Sequence, residues 1–417
     1  MNDIFSKEFF ERNRQKLKAH IDSQSLAILF SSHKMPRNGD QYFPFRQNSD
    51  IFYLCGIEQE NTILVIEKEQ EFLFVEQPDS GHALWEGDRL SPERAKELSG
   101  IETIKWSHEF EKTVEKLLKS KSKIYFNFQG KMNPHSVRSL DEIYLEKFRN
   151  QYPLHSFFSL RPIMTELRLR KEPEEIEAIK KAIEITGSAL KNIYTIIKPD
   201  ISEKSIEAEL TREFLRNNAR GFAFDPIVAS GKNATILHYT ANSDVCVEGE
   251  LVLIDFGAEY RNYAADVTRT LPVNGRFTSR QKDCYQAVLE AMKNVESAIK
   301  PGVTIKELNH KMVEELTEKH IQLGLYKRED LELSEEPLWK KYFPHGVSHF
   351  IGLDVHDYGD KDVILDKGMV ISWEPGIYIP EENLGIRIED DILVDTPAVN
   401  LSSGIPKEIE ELEKRIE

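Results

Sequence analysis

From Leu26 onward, short apolar runs alternate with longer amphipathic stretches. Leu26–Phe30 (LAILF), Thr62–Ile66 (TILVI), Glu71–Val75 (EFLFV) and Lys123–Phe128 (KIYFNF) are short, apolar and rich in β-branched or aromatic residues, as strands are. The stretches between them, Glu109–Leu118 for example, read as helices. Strands alternating with helices predict an α/β domain with a partly parallel sheet, assigned to residues 1–165. It contains no glycine-rich phosphate-binding pattern.

The pattern changes near Arg161–Lys171 (RPIMTELRLRK), and a second domain is expected over 166–417. Pro173, followed by Glu174 and Glu175, signals a helix start, because proline is tolerated at the first helical position and acids suit a helix N-terminus. Ile176, Ile179, Ile183 and Leu190 then recur at helical spacing. That helix should end at Ile197-Lys198-Pro199-Asp200-Ile201, and a later one at Ile299-Lys300-Pro301-Gly302-Val303. Each breaker is followed by a capping signal and another helix. Thr304 and Glu307 form a capping box ahead of the stripe Ile305, Leu308, Met312, Val313 and Leu316. The earlier copy offers Ile206, Leu210 and Phe214. Each helix pair leads, after an interval, into a strand-rich segment. Helix–helix–sheet, read twice, predicts a pseudo-twofold α+β domain.

Two domains suit a chain of 417 residues. Acidic residues outnumber basic ones by 71 to 55, so bulk charge does not favour nucleic acid or an anionic membrane, leaving only a local basic patch open. Cys55, Cys246 and Cys284 show no CxxC spacing, which argues against a disulfide scaffold, a zinc ribbon or an iron–sulfur site. The opening MNDIFSKEFFERNRQKLKAH is charged throughout, and no apolar run nears the roughly 18 residues of a membrane span. A cytoplasmic protein without membrane partners is expected.

The chemistry concentrates in the strand-rich segments of the second domain. Leu251–Gly257 (LVLIDFG) runs to Tyr260 and Arg261 and returns as Ala264–Thr270 (AADVTRT). A hairpin centred between Tyr260 and Arg261 sets Asp255 directly opposite Asp266, with Cβ atoms about 5 Å apart. Val370–Glu374 (VISWE) likewise turns near Pro380–Asn383 and returns through Gly385–Glu389 (GIRIE), which sets Glu374 opposite Glu389. Opposed acids destabilise a sheet unless they are protonated or share a cation. Either pair alone also fits a solvated strand face, but two pairs inside apolar runs favour one or two divalent metals. His345, His349 and His356 fall within HGVSHFIGLDVH, where Gly346 and Gly352 argue for a loop or strand. Imidazole beside carboxylates suits manganese, iron, cobalt or zinc better than calcium. His238 stands alone and, on spacing, reads as an ordinary core or surface histidine. There is no GxSxG elbow and no cysteine in a histidine-rich setting, so a two-metal hydrolase is better supported than covalent catalysis.

Several of these segments together resemble the metal-dependent aminopeptidase P and prolidase family. They are IDFGAEYRNYAADVTRT, HGVSHFIGLDVHD, EPGIYI, GIRIED, ILHYTAN and FRQNSDIFYLCG, and the likeness covers nearly the whole chain. It implies a pita-bread catalytic domain that removes an N-terminal residue preceding proline through a hydroxide bridging two metals. Manganese is the expected ion, with cobalt or zinc as alternatives. By motif, Asp255 binds one metal, His349 and Glu374 hold the other, and Asp266 and Glu389 bridge them. His238, His345 and His356 line the substrate site, Arg387 contacts the bridging ligands or substrate, and Tyr378 lies nearby. Glu374 shuttles the proton. A homo-oligomer, dimer or tetramer, is also implied. A prolidase restricted to Xaa-Pro dipeptides is the nearest alternative, and a non-catalytic peptide-binding module is a further one. Cys55 and Ile57 beside Gly56 depart from the family pattern, which bears on peptide length and leaves the metal site untouched.

Overall fold

The apolar runs of the N-terminal region assemble into one six-stranded sheet in the computed structural model, which describes residues 4–78, 81–128 and 137–414. They belong to the first of two units, Met1–Arg168 and Leu169–Glu417. The strands are β1 (Ser25–Phe30), β2 (Ile63–Ile66), β3 (Glu71–Val75), β4 (Thr103–Trp106), β5 (Lys123–Phe126) and β6 (Ser156–Ser159), in the order β4-β3-β2-β1-β5-β6. The pairs β1/β5, β5/β6 and β3/β4 are parallel, while β1/β2 and β2/β3 are antiparallel. Central β1 is buried along its whole length, as a strand covered on both faces should be. Phe110, Val114 and Leu118 of helix Phe110–Leu118 pack into the same core as Leu26, Ile28, Phe74 and Phe126. Strand β5 stops at Phe126, short of the expected Phe128, because the Asn127 N–H donates to Asp141 Oδ1 and its side chain to Asp50 Oδ2.

The second unit carries four long helices: α1 (Pro173–Ile196), α2 (Glu203–Arg216), α3 (Ser279–Glu296) and α4 (Ile305–Gln322). Helix α1 packs on α2, and α3 on α4. Ser202 caps α2, and the expected capping box of Thr304 and Glu307 caps α4. The stripes are buried as expected, except that Ile176 and Val313 are only half-buried. The two copies share backbone bonds as well as spacing. Asp200 N–H donates to Cys246 O and Cys246 N–H to Ile201 O; Gly302 N–H donates to Leu365 O and Leu365 N–H to Val303 O. Ser202 bridges Val245 just as Thr304 bridges Ile364. The helix–helix–sheet repeat is therefore a repeat of hydrogen-bonding pattern.

Each copy feeds a β-ribbon. The first comprises β7 (Ile227–Ser230), β8 (Leu251–Phe256), β9 (Ala258–Tyr260), β10 (Tyr263–Ala264) and β11 (Val267–Pro272). The second comprises β12 (Val370–Trp373), β13 (Gly376–Ile379), β14 (Leu384–Arg387) and β15 (Asp390–Leu393). Arg269 of β11, fully buried, joins them. Its Nη1 donates to Thr268 O at 2.9 Å and Glu389 O at 2.7 Å, and its Nη2 donates to Asp390 Oδ1 at 2.7 Å. Nε and Nη2 also donate to Pro406 O and Ile405 O, which draws in the C-terminal segment.

Replacing Arg269 with Leu strips the guanidinium from a buried pair and leaves carbonyls without donors. The expected loss is about 3 kcal/mol, the low end for breaking a buried pair, because Lys407 still reaches Asp390. Guanidinium unfolding followed by the fluorescence of buried Trp373 measures it. An unchanged midpoint would show that the clamp contributes nothing to stability.

Candidate metal centre

The first ribbon turns at Arg261-Asn262, both left-handed (φ 51° and 66°), one step later than expected. Two consecutive left-handed residues make the two-residue turn that matches strand twist. The later turn corrects the expected register: Asp255 faces Thr268 across the ladder, and Asp266 lies beyond the end of β11. The displacement is two residues, an even number, so Asp266 keeps the face it was expected to share with Asp255. At the break the strands come so close that a Cβ on Gly257 would sit 1.6 Å from Ala265 O. Freed from the ladder, the Asp266 N–H donates to Asp391 Oδ2 at 3.1 Å.

The second ribbon has the expected register. Trp373 faces Asp390 and Gly376 faces Arg387, so Glu374 and Glu389 fall opposite each other in a gap at Pro375. In that gap the Glu389 N–H donates to Thr268 O of the other ribbon at 3.1 Å. Thr268 Oγ1 donates to Glu389 Oε2 at 2.6 Å. The two ribbons thus meet at their acidic residues.

His349 comes from the irregular segment beside β12. Its N–H donates to Ser372 Oγ at 2.9 Å, the Ser372 N–H returns to His349 O, and Ser372 Oγ lies 3.2 Å from Glu374 Oε1. One buried serine therefore fixes two site residues. His349 Nδ1 lies 3.1 Å from Phe350 O, an acceptor only, so Nδ1 carries the proton and Nε2 is left with a lone pair. That Nε2 lies 3.4 Å from Asp266 Oδ2 and 3.6 Å from Glu374 Oε1. Donor atoms of Asp266, His349 and Glu389 all lie within 4.8 Å of one another.

Arg387, also buried, donates to Asp255 Oδ2 at 2.6 Å, Tyr378 Oη at 2.8 Å and Thr268 Oγ1 at 3.1 Å. Tyr378 Oη lies 2.8 Å from His345 Nε2, and His345 Nδ1 lies 2.8 Å from Gly346 O. With a carbonyl at one nitrogen, a neutral His345 accepts from Tyr378 at the other. Tyr378 is thus an integral link between Arg387 and His345. His356 packs edge-on against His349, with ring centroids 4.5 Å apart. The four acids, His238, His345, His349, His356 and Arg387 all line one cavity of about 650 Å³. Asp255, Asp266, Glu389 and Arg387 are buried at its floor, while His238 and His356 are exposed. His238, isolated in the sequence, joins the cluster because the loop after Ser230 carries it over the ribbon. Sequence reasoning missed Thr268, Ser372 and Asp391. The first and last sit two residues after Asp266 and Glu389, and strand alternation from those acids would have found them.

The electrostatics call for a cation. Burial, then the neighbouring acids, holds the Asp266 and Glu389 carboxyls well above the usual carboxylate range. Burial pushes Glu374 up to about 8. Burial, reinforced by His356, pushes His349 down to about 4; burial, reinforced by Arg387, takes His345 to about 3. Both imidazoles are neutral at pH 7. Asp255 Oδ1 and Asp266 Oδ1 are buried with no hydrogen-bond partner. Oxygen donors, one imidazole lone pair and two orphaned carboxylate oxygens fit a hard or borderline divalent ion.

Residues 177–396 match the model of metallopeptidase family M24, and residues 10–125 match that of the aminopeptidase P N-terminal domain. The chain is 36% identical to the Xaa-Pro aminopeptidase of Escherichia coli strain K12, covering 99% of this chain and 98% of that one. It is 35% identical to the Xaa-Pro aminopeptidase of Haemophilus influenzae, covering 98% and 96%. A structure of zinc-substituted E. coli aminopeptidase P in complex with product superposes with a TM-score of 0.89 at 33% identity, covering 98% of both chains.

The raised carboxyls set a pH dependence for the chelated protein. A folded-state pKa above the unfolded value means that the folded state binds the extra proton, so stability falls as pH rises towards the folded pKa. The lowered histidines act oppositely, but only below about 6.5, their unfolded value. Between pH 7 and 8 the acids act alone, with Glu374 titrating up to about 8. Thermal melts in chelator should therefore decline from pH 7 to 8, less steeply in Glu389→Gln, and manganese should raise Tm more at pH 8 than at pH 7. A chelated Tm that rises across this window would contradict the assignment.

Proposed function

Since the chain belongs to metallopeptidase family M24, we propose that this cavity is its active centre. The protein is a metal-dependent aminopeptidase that hydrolyses the bond between an N-terminal residue and a following proline in peptides. The observation that supports the site assignment is that four carboxyl groups and His349 line one cavity, with donor atoms of Asp266, His349 and Glu389 gathered within 4.8 Å and two buried oxygens left unsatisfied.

Asp255, Asp266, His349, Glu374 and Glu389 would hold two divalent ions, manganese in the first place. When bound, such ions supply Lewis acidity and lower the pKa of water. The remaining steps belong to side chains. Glu374 takes the proton of the attacking water and passes it to the proline nitrogen as the C–N bond breaks; Ser372 fixes its Oε1, and its Oε2 lies 3.5 Å from His345 Nδ1. His356 and His238, at the open end of the cavity, contact the scissile carbonyl and the oxyanion it becomes. Arg387, held charged by Tyr378, Asp255 and Glu389 against the effect of burial, keeps Asp255 oriented and sustains the link through Tyr378 to His345. The nitrogen of the Xaa–Pro bond has no hydrogen, so recognition requires an apolar surface for the ring and no acceptor. Phe224, Ile227, Leu237 and Val355 supply apolar wall to the cavity.

The purified protein is expected to hydrolyse an Xaa-Pro-Xaa tripeptide with manganese, to prefer it to the Xaa-Pro dipeptide, and to lose activity in Asp266→Ala and Glu389→Ala. Strong preference for the dipeptide would make it a prolidase. Full activity of chelated Asp266→Ala would reject the site.

A further inference from the structure

Glu203, the first residue of α2, is fully buried. Its Oε1 accepts from Ser230 N at 2.8 Å, Ser230 Oγ at 2.7 Å and Asn233 Nδ2 at 3.2 Å. Its Oε2 accepts from Tyr239 Oη and Asp244 N, each at 2.9 Å. No ion pair to it forms among the described residues, so these donors alone offset the cost of burying the carboxylate. All of them come from Ser230–Asp244, the segment that carries His238. Among the described residues, no backbone–backbone hydrogen bond involves 237–243, so side chains must hold that stretch.

The internal repeat supplies a second, independent observation. Ser202 and Thr304 occupy equivalent places, each bridging the segment ahead of its ribbon. The residue after Ser202 is Glu203; the residue after Thr304 is Ile305, also buried. An apolar side chain fills the position in the other copy, so the fold itself does not require an acid there. The feature that distinguishes the first copy at this point is the His238 loop.

We propose that Glu203 is a positioning residue for His238: its carboxylate gathers Ser230, Asn233, Tyr239 and Asp244 and so sets where the neighbouring imidazole stands in the cavity. Tyr239 completes the link, with its hydroxyl on Glu203 and its ring packed in the cluster that includes Tyr378. The proposal rests on the reading of His238 as a substrate contact.

A double-mutant cycle on the metal-loaded protein tests it, with kcat/KM for an Xaa-Pro tripeptide, metal per chain and amide exchange over 231–246 as readouts. Glu203→Gln is expected to lower kcat/KM at least about ten-fold, the scale of a charged hydrogen bond lost. Metal content should not change, and exchange over 231–246 should speed up. In a His238→Ala background the same change should alter kcat/KM by less than about two-fold. Equal losses in both backgrounds, or no loss in the protein that retains His238, would overturn the proposal. If His238→Ala alone is fully active, the substrate role of His238 falls and the proposal falls with it, a result distinct from the first two. Should Glu203→Gln fail to fold, Tyr239→Phe runs the same cycle.

Discussion

The second unit answers to one electrostatic problem: four carboxyl groups line one cavity, three of them buried at its floor. Removing a charged carboxylate from water is costly unless it is paired or hydrogen-bonded. Arg387 pairs with Asp255, but among the described residues Glu389 has only the Thr268 hydroxyl against it, and Asp266 Oδ1 has no hydrogen-bond partner. Without a cation these groups retain protons far above the usual carboxylate range. The site is therefore unfavourable by itself and favourable with a divalent ion in it, and the fold must supply the stability that holds it open.

The supporting groups are chosen accordingly. Thr268 and Ser372 orient carboxylates through hydroxyls, and backbone carbonyls orient His349 and His345. A hydroxyl or a carbonyl fixes geometry without cancelling the charge a metal needs. A lysine in the place of Thr268 would satisfy the acids and weaken the site for a cation. Apart from Arg387, which pairs with Asp255, the strong charges sit one layer out. Arg269 and Asp390, fully buried, clamp the ribbons through the backbone of Thr268 and Glu389 without touching the carboxylates themselves. Side chains next to the metal site orient, and those behind it bind the halves together.

Much of this was legible in the sequence, because the features that fixed it are local. Pro173, the Pro199 and Pro301 breakers and the Thr304–Glu307 capping box act within a few residues, and they delimited the repeat. The second hairpin was read in its true register because its turn, Pro380–Asn383, is marked by a proline and by an asparagine that adopts a left-handed conformation. The first is harder to place because Arg261 is an unusual residue for a left-handed turn position and no glycine or proline accompanies Asn262, the one turn-favouring residue there. The error spared the site, since a two-residue slip preserves facing and only exchanges neighbours. What the pattern alone could not supply was His238. A lone histidine in an irregular loop has no periodicity to place it, and only the family resemblance brought it to the site. The network around Glu203 was invisible for a similar reason, since its donors lie far from it along the chain.

The two copies also divide the work in a way that follows from how each holds its irregular segment. Both place histidines ahead of the first strand of the acidic hairpin: His238 between β7 and β8 in the first copy, and His345, His349 and His356 between α4 and β12 in the second. The second segment is stitched to β12 by the backbone, through Ile351 to Val370, Ser372 to His349 and Glu374 to Val347. Backbone ladders resist opening more than side-chain contacts on a surface loop do. A metal ligand must hold its place to fractions of an ångström, and His349, proposed as one, comes from the laddered segment. His238 comes from the loop that rests on one buried carboxylate and on Asn242. The substrate contact proposed for His238, made and broken at every turnover, suits a segment of lower local stability. The frame occurs twice, and Glu203 against Ile305 is one place where the two copies differ.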